Sequence, residues 1–139
     1  TNKVKVKQRD GKIWLHTGDI GCMDQDGFVY YKQRLKRMIV TSGYNIYPSY
    51  MEDIICKHEY VDSCVVIGIP HPYKKQVPKA YIVLKDGIKP TNQVKNSIKK
   101  YCEENLVRYS WPYEYEYKDV LPKTLVGKVA YKELVKESE

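Results

Sequence analysis

Residues 48–84 read PSYMEDIICKHEYVDSCVVIGIPHPYKKQVPKAYIVL. Pro48 suits the first position of a helix, where a missing N–H costs little. Met51, Ile54, Ile55 and His58 then recur at i, i+3, i+4 and i+7, which predicts one apolar helical stripe. Ser63 to Ile69 and Ala80 to Leu84 are continuous apolar runs of strand length, and Pro70 to Lys75 reads as the loop connecting them. A helix followed by two strands sets the class as α+β, a small mixed sheet flanked by helices.

Downstream, Thr91 is placed to N-cap a helix running to Leu106, with Val94, Ile98, Tyr101, Cys102 and Leu106 as its core face. Tyr113 to Lys118 predicts a strand with one tyrosine face and one acidic face, and about Val129 to Lys136 predicts a last amphipathic helix. Upstream the chain is β-rich. Lys3 to Lys7 alternates as a half-exposed strand, Asp10-Gly11 is a turn, and Lys12 to His16 is its hairpin partner. Asp24 to Gly27 is a second turn before a strand from Phe28 to Tyr31, and Lys32 to Arg37 reads as a polar joint. Met38 to Thr41 and Tyr44 to Tyr47 flank Ser42-Gly43 as a small hairpin or loop. The sequence has no internal repeat.

The composition narrows the function classes. The 139 residues are one domain's worth, or a domain with a flanking piece, long enough to bury a core without disulfide or metal. No apolar run approaches membrane-spanning length, and Thr1 to Asp10 has no signal-peptide character. Cys22, Cys56, Cys64 and Cys102 form no C-x-x-C pair, so all four are expected to be reduced packing residues of an intracellular protein. The net charge is +7, a balance that can signal nucleic acid. Residues 71–139 carry 14 basic and 9 acidic side chains, against 10 and 8 in residues 1–70, so the excess is spread and not blocked. The aromatic tract Tyr113 to Tyr117 is interleaved with acids, which repel phosphate.

Three short motifs remain. Trp14-Leu15-His16-Thr17-Gly18-Asp19 is turn chemistry, or a carboxylate able to accept two hydrogen bonds from a sugar diol. Gln33 to Pro48 contains a basic run that by itself is a solvated face, and Gly43 supplies a backbone angle other residues avoid. Pro122-Lys123-Thr124-Leu125-Val126-Gly127-Lys128 is not a phosphate-binding P-loop, because the first Gly is absent and Val129 follows Lys128.

In this order, the three motifs resemble the adenylate-forming superfamily of acyl-CoA synthetases, luciferases and peptide-synthetase adenylation domains. The resemblance runs from about Trp14 to Leu134. It implies that residues 1–35 are the tail of a large N-terminal adenylation domain and that residues 36–139 are the mobile C-terminal domain. It implies ATP/AMP-binding roles for Asp19, at the ribose hydroxyls, and for Arg34, at the ribose or a phosphate. It further implies a hinge at Lys36, a CoA-binding loop at Ser42, Gly43, Tyr44 and Asn45, and a catalytic lysine at Lys128. Family members often have Gly or Asp where this chain has Gln33, two acids where it has only Glu52, and a basic residue where it has Asn45.

The activity so implied is that of an ATP-dependent acid–CoA ligase for a fatty or other hydrophobic carboxylic acid, in the cytoplasm, using ATP, Mg2+ and CoA. The N-terminal adenylation domain of the same protein would be its partner. No metal-ligand cluster and no nucleic-acid partner are expected. The chain begins with Thr1 and lacks a triphosphate loop, so it is expected to be an inactive fragment on its own. Two alternatives stand beside this reading. One is an adenylation domain that loads an acyl or aminoacyl group onto a carrier protein, which would suit the basic second half. The more distant one is a standalone basic nucleic-acid-binding module.

Overall fold

The structure, a computed structural model, describes residues 4–138. Lys3 of the expected first strand lies outside the described residues. The chain divides into two compact units, one ending at Lys36 and the next beginning at Arg37.

The first unit consists of two hairpins. β1 (Lys5–Lys7) pairs antiparallel with β2 (Ile13–Leu15), and β3 (Asp19–Met23) with β4 (Val29–Arg34). The sequence reading has no counterpart to β3, and β4 runs through the first half of the expected polar joint. The cause is the alternation Asp19-Ile20-Gly21-Cys22-Met23, interrupted by Gly21, where a bulge shifts the register. A Cβ on Gly21 would stand 2.8 Å from the Tyr30 carbonyl oxygen, so only glycine fits. Among the described residues of this unit no apolar side chain is buried: Ile13, Trp14, Leu15, Met23, Phe28, Val29 and Tyr31 all face solvent.

The second unit is a five-stranded mixed sheet with both faces covered. Its elements are β5 (Ile39–Thr41), β6 (Tyr44–Ile46), α1 (Pro48–Ile55), β7 (Val61–His71), β8 (Lys75–Leu84), α2 (Asn92–Asn105), β9 (Glu114–Tyr117) and α3 (Tyr131–Lys136). The strand order is β6-β5-β8-β7, and β9 adds parallel to β8. Side chains alternate across a strand, and here both sets meet apolar layers. Cys64, Val66, Ala80 and Ile82 pack with Met51 and Ile55 of α1 and with Ile98 and Cys102 of α2. Val65, Ile67 and Tyr81 pack with Leu121 and with Leu134 of α3. A sheet covered on both faces explains why the runs in residues 63–69 and 80–84 are continuously apolar.

The expected loop Pro70 to Lys75 shrinks to three residues, because β7 and β8 pair without interruption from Ser63↔Val83 to His71↔Lys75. Pro78 hid the first half of β8. A proline is tolerated there because that edge of β8 meets β5 only at Lys75 and β9 only from Lys79 onward, so no ladder bond calls for an N–H at residue 78, whose carbonyl accepts the Tyr113 N–H at 2.7 Å. The helix α1 ends at Ile55, so His58 sits in the following turn and not on the helical stripe. Thr91 caps α2 as expected, its Oγ1 accepting from the Val94 N–H at 3.3 Å. In β9, Tyr115 and Tyr117 pack on the core, while Glu116 and Glu114 reach the buried Lys79 ammonium at 2.9 and 3.5 Å. The four cysteines are free, but only Cys64 and Cys102 are buried; Cys22 and Cys56 are exposed and do not pack as expected. Among the described residues no helix is long and apolar enough to cross a membrane.

Candidate functional site

The two residues expected at a ribose lie together. Asp19 opens β3 and Arg34 closes β4, in directly opposed register. Opposed residues share one face of the hairpin, and the Arg34 guanidinium lies 3.0 Å from the Asp19 carboxylate. Arg34 also donates to the Thr17 carbonyl at 3.3 Å. The turn leading into β3 is fixed from within: the Asp19 N–H donates to Thr17 Oγ1 at 3.2 Å, Gly18 takes φ +79°, and the Leu35 N–H donates to the Gly18 carbonyl at 2.7 Å. A shallow cleft of about 470 Å³, lined by Trp14, His16, Thr17 and Asp19 among others, opens beside it. A carboxylate has about four acceptor sites, so Asp19 can hold Arg34 and still accept from a diol.

Lys36 is exposed in a single 3-10 turn, Leu35–Arg37. The expected CoA-binding residues form the β5–β6 turn. Ser42 and Gly43 take φ +47° and +85°, two successive left-handed residues, the pattern of a tight hairpin turn. The Ser42 N–H donates to the Lys74 carbonyl at 3.1 Å, tying this turn to the β7–β8 loop. Next to it, the Tyr44 ring stacks on Tyr109 with centroids 4.6 Å apart and planes 10° from parallel.

That stack forms a wall of a cavity of about 690 Å³, within the range of small-molecule sites. Ser42 and Tyr44 line it together with Lys74, Lys99, Arg108 and Tyr113. Sequence reading assigned none of those last four; the lysines read as solvated surface because Lys74 and Lys99 are far apart in sequence and meet only through the fold. Their combination of cations and flat rings suits a nucleotide's phosphates and base. Gly43 and Asn45 are not among the residues lining the cavity.

Lys128 is exposed at the end of a closed loop. The Thr124 N–H donates to the Lys128 carbonyl at 2.6 Å, the Lys128 N–H to Thr124 Oγ1 at 3.2 Å, and the Ala130 N–H to the Pro122 carbonyl at 2.8 Å. Gly127 takes φ +80°, a conformation glycine adopts freely. The tip, Leu125-Val126, is apolar yet solvent-facing. Lys128 does not line the cavity at Ser42 and Tyr44, so these two candidate centres occupy different places on the second unit. Among the described residues no group of three or more His, Cys, Asp or Glu could hold a metal ion.

A family model described as the AMP-binding enzyme C-terminal domain matches residues 50–128, over half the chain. The chain belongs to that family. It is 40% identical over 129 residues to the long-chain-fatty-acid–CoA ligase of Bacillus subtilis strain 168, covering 93% of this chain and 22% of that protein. Among solved structures it resembles the anthranilate–CoA ligase AuaEII in complex with anthranoyl-AMP, with TM-score 0.80, 32% identity, and 91% of this chain on 24% of that one. ATP-bound MatB from Rhodopseudomonas palustris gives TM-score 0.82 at 27% identity, with 94% of this chain on 25% of that one. The chain thus spans 22% to 25% of the length of these three relatives, and its fold agrees with the α+β class expected.

Proposed function

We propose that this chain is the C-terminal part of an ATP-dependent acid–CoA ligase acting on a fatty or other hydrophobic carboxylic acid in the cytoplasm. Residues 1–35 are the tail of the N-terminal adenylation domain, its partner, and residues 36–139 are the mobile domain. The observation that carries this reading is the family match over residues 50–128, which takes in Lys128, a cation standing exposed on a hydrogen-bonded loop. The solvent-facing apolar residues of the two N-terminal hairpins support it, because isolated hairpins need a further layer over them.

In the first half-reaction a carboxylate oxygen attacks the α-phosphorus of ATP, and the bond to pyrophosphate breaks. Two anions must meet, and a compact ammonium such as that of Lys128 stabilises the charge they share. Asp19 and Arg34 hold the ribose end. Mg2+ would neutralise the triphosphate, carried by the phosphates themselves. In the second half-reaction the CoA sulfur attacks the acyl carbon and AMP leaves. Ser42, Gly43 and Tyr44 border the pantetheine arm, and the nucleotide end of CoA occupies the cavity with Lys74, Lys99 and Arg108. Rotation at Lys36 exchanges the two arrangements.

The test is ATP- and CoA-dependent thioester formation by the full-length protein with fatty acids of graded length. Pyrophosphate release with thioester on CoA supports the reading. Pyrophosphate release with no thioester on CoA, but acyl transfer to a carrier protein, replaces the acceptor; no acid-dependent pyrophosphate release overturns the reading.

A further inference from the structure

Arg37 is the first residue of the second unit, adjacent to Lys36. Its guanidinium donates to Glu52 Oε1 on α1. The same guanidinium lies over the Tyr131 ring, Cζ 4.2 Å from the centroid. Glu52 Oε1 also accepts from the Val66 N–H of β7 at 2.8 Å. The two charged side chains are only 18% and 15% exposed. A pair so shielded is weakly screened by salt, and it holds its geometry better than a surface pair does.

Tyr131 opens α3 and stands three residues after Lys128. Immediately before it, the bond from Ala130 to Pro122 closes the base of the Lys128 loop. The loop is therefore a hydrogen-bonded spur whose root, at Tyr131, lies against the Arg37 guanidinium. The Ser42–Gly43 turn has a separate attachment, through the buried Ile39 and Ile46 of β5 and β6. One side chain thus links the residue after Lys36 to the Lys128 loop and leaves the CoA-side turn to other contacts.

We propose that Arg37 is a positioning residue that, through Glu52 and Tyr131, keeps the Lys128 loop in register with the chain where it turns at Lys36. This rests on the roles proposed above for Lys36 and Lys128. A lysine cannot replace Arg37 fully, because the link uses the planar fork for Glu52 and the flat face for Tyr131 at once.

The test uses the full-length protein. Acid-dependent ATP–pyrophosphate exchange reads the first half-reaction, and thioester formation from supplied acyl-adenylate reads the second. Arg37→Leu is expected to lower the exchange kcat roughly 10- to 100-fold with the ATP KM nearly unchanged, because small misplacements of a reacting group cost that much. Thioester formation from supplied adenylate should persist, and Arg37→Lys should recover part of the loss. Tyr131→Leu removes the ring but keeps the Arg37–Glu52 pair, and should show the same asymmetry; it decides the matter if Arg37→Leu does not fold. Unchanged exchange in both variants, or a parallel fall of both half-reactions, overturns the proposal. A Lys128→Ala control separates the two levels: if it retains exchange, the role of Lys128 fails; if it loses exchange while Arg37→Leu does not, only the positioning role fails.

Discussion

Asp19 and Arg34 face each other across the second hairpin with 3.0 Å between carboxylate and guanidinium. The arginine side chain is 62% exposed, and surface pairs contribute only about 0–1 kcal/mol to folding. The pair is thus a poor candidate for a stability device and a good one for holding a ligand. In the full-length protein, Asp19→Asn should leave the melting temperature nearly unchanged. It should raise the KM for ATP by roughly ten-fold or more, the worth of a hydrogen bond to a charged group. Steady-state kinetics against ATP measures this, and an unchanged KM would remove Asp19 from the ribose site.

Lys128 and Lys36 should separate by half-reaction. Lys128→Ala removes the exposed cation of the closed loop without disturbing the backbone bonds that close it. Acid-dependent pyrophosphate exchange should fall by roughly 100-fold or more, as for loss of a group that meets developing charge, while thioester formation from supplied adenylate continues. Lys36→Pro fixes φ in the 3-10 turn and should impair the passage from one half-reaction to the other. If both half-reactions proceed normally with proline at 36, the pivot lies elsewhere.

The sequence made some of these features legible and hid others for identifiable reasons. The apolar runs at residues 63–69 and 80–84 were readable because both faces of β7 and β8 are buried. The strand β3 was not, because its alternation is broken by Gly21 at a bulge. Asp19, Ser42 and Lys128 each stood in a short motif of local turn chemistry. Lys74, Lys99, Arg108 and Tyr109 stood in none, and only the β7–β8 hairpin and the packing of α2 gather them around one cavity. Arg37 read as one more charge in a basic run, since its partners Glu52 and Tyr131 lie 15 and 94 positions away.

Thiol reactivity offers a check on the packing. Cys22 and Cys56 are exposed, whereas Cys64 and Cys102 are buried. Partial desolvation raises the surface-accessible Cys56 thiol above its ordinary value, and burial pushes Cys102 up to about 11. Burial also raises Cys64 strongly. Because the thiolate is the nucleophile, labelling of this chain at pH 8 should proceed in the order Cys22, then Cys56, with Cys64 and Cys102 protected until denaturant is added. Mass spectrometry of a timed iodoacetamide reaction reads the order. Early modification of Cys102 would contradict the packing of α2 on the sheet.

His58 should make this chain less stable in mild acid. Its Nδ1 accepts the Tyr60 N–H at 3.2 Å, so the neutral ring carries its proton on Nε2, 3.1 Å from Ser97 Oγ. Tyr60 and Tyr101 meet the ring edge-on. Burial holds its pKa below the ordinary 6.5, with Glu59 opposing the shift and Lys85 adding to it. As pH falls below 6.5, the unfolded chain takes up the proton first, so the destabilisation grows until the folded-state pKa is passed and is complete below it. The stability that His58 contributes is therefore complete above pH 6.5 and declines through the window beneath it. Urea midpoints between pH 7.5 and pH 5 should fall for the native sequence, and more gently for His58→Gln, which cannot titrate. Equal slopes for the two chains would show that acid destabilisation arises at other groups.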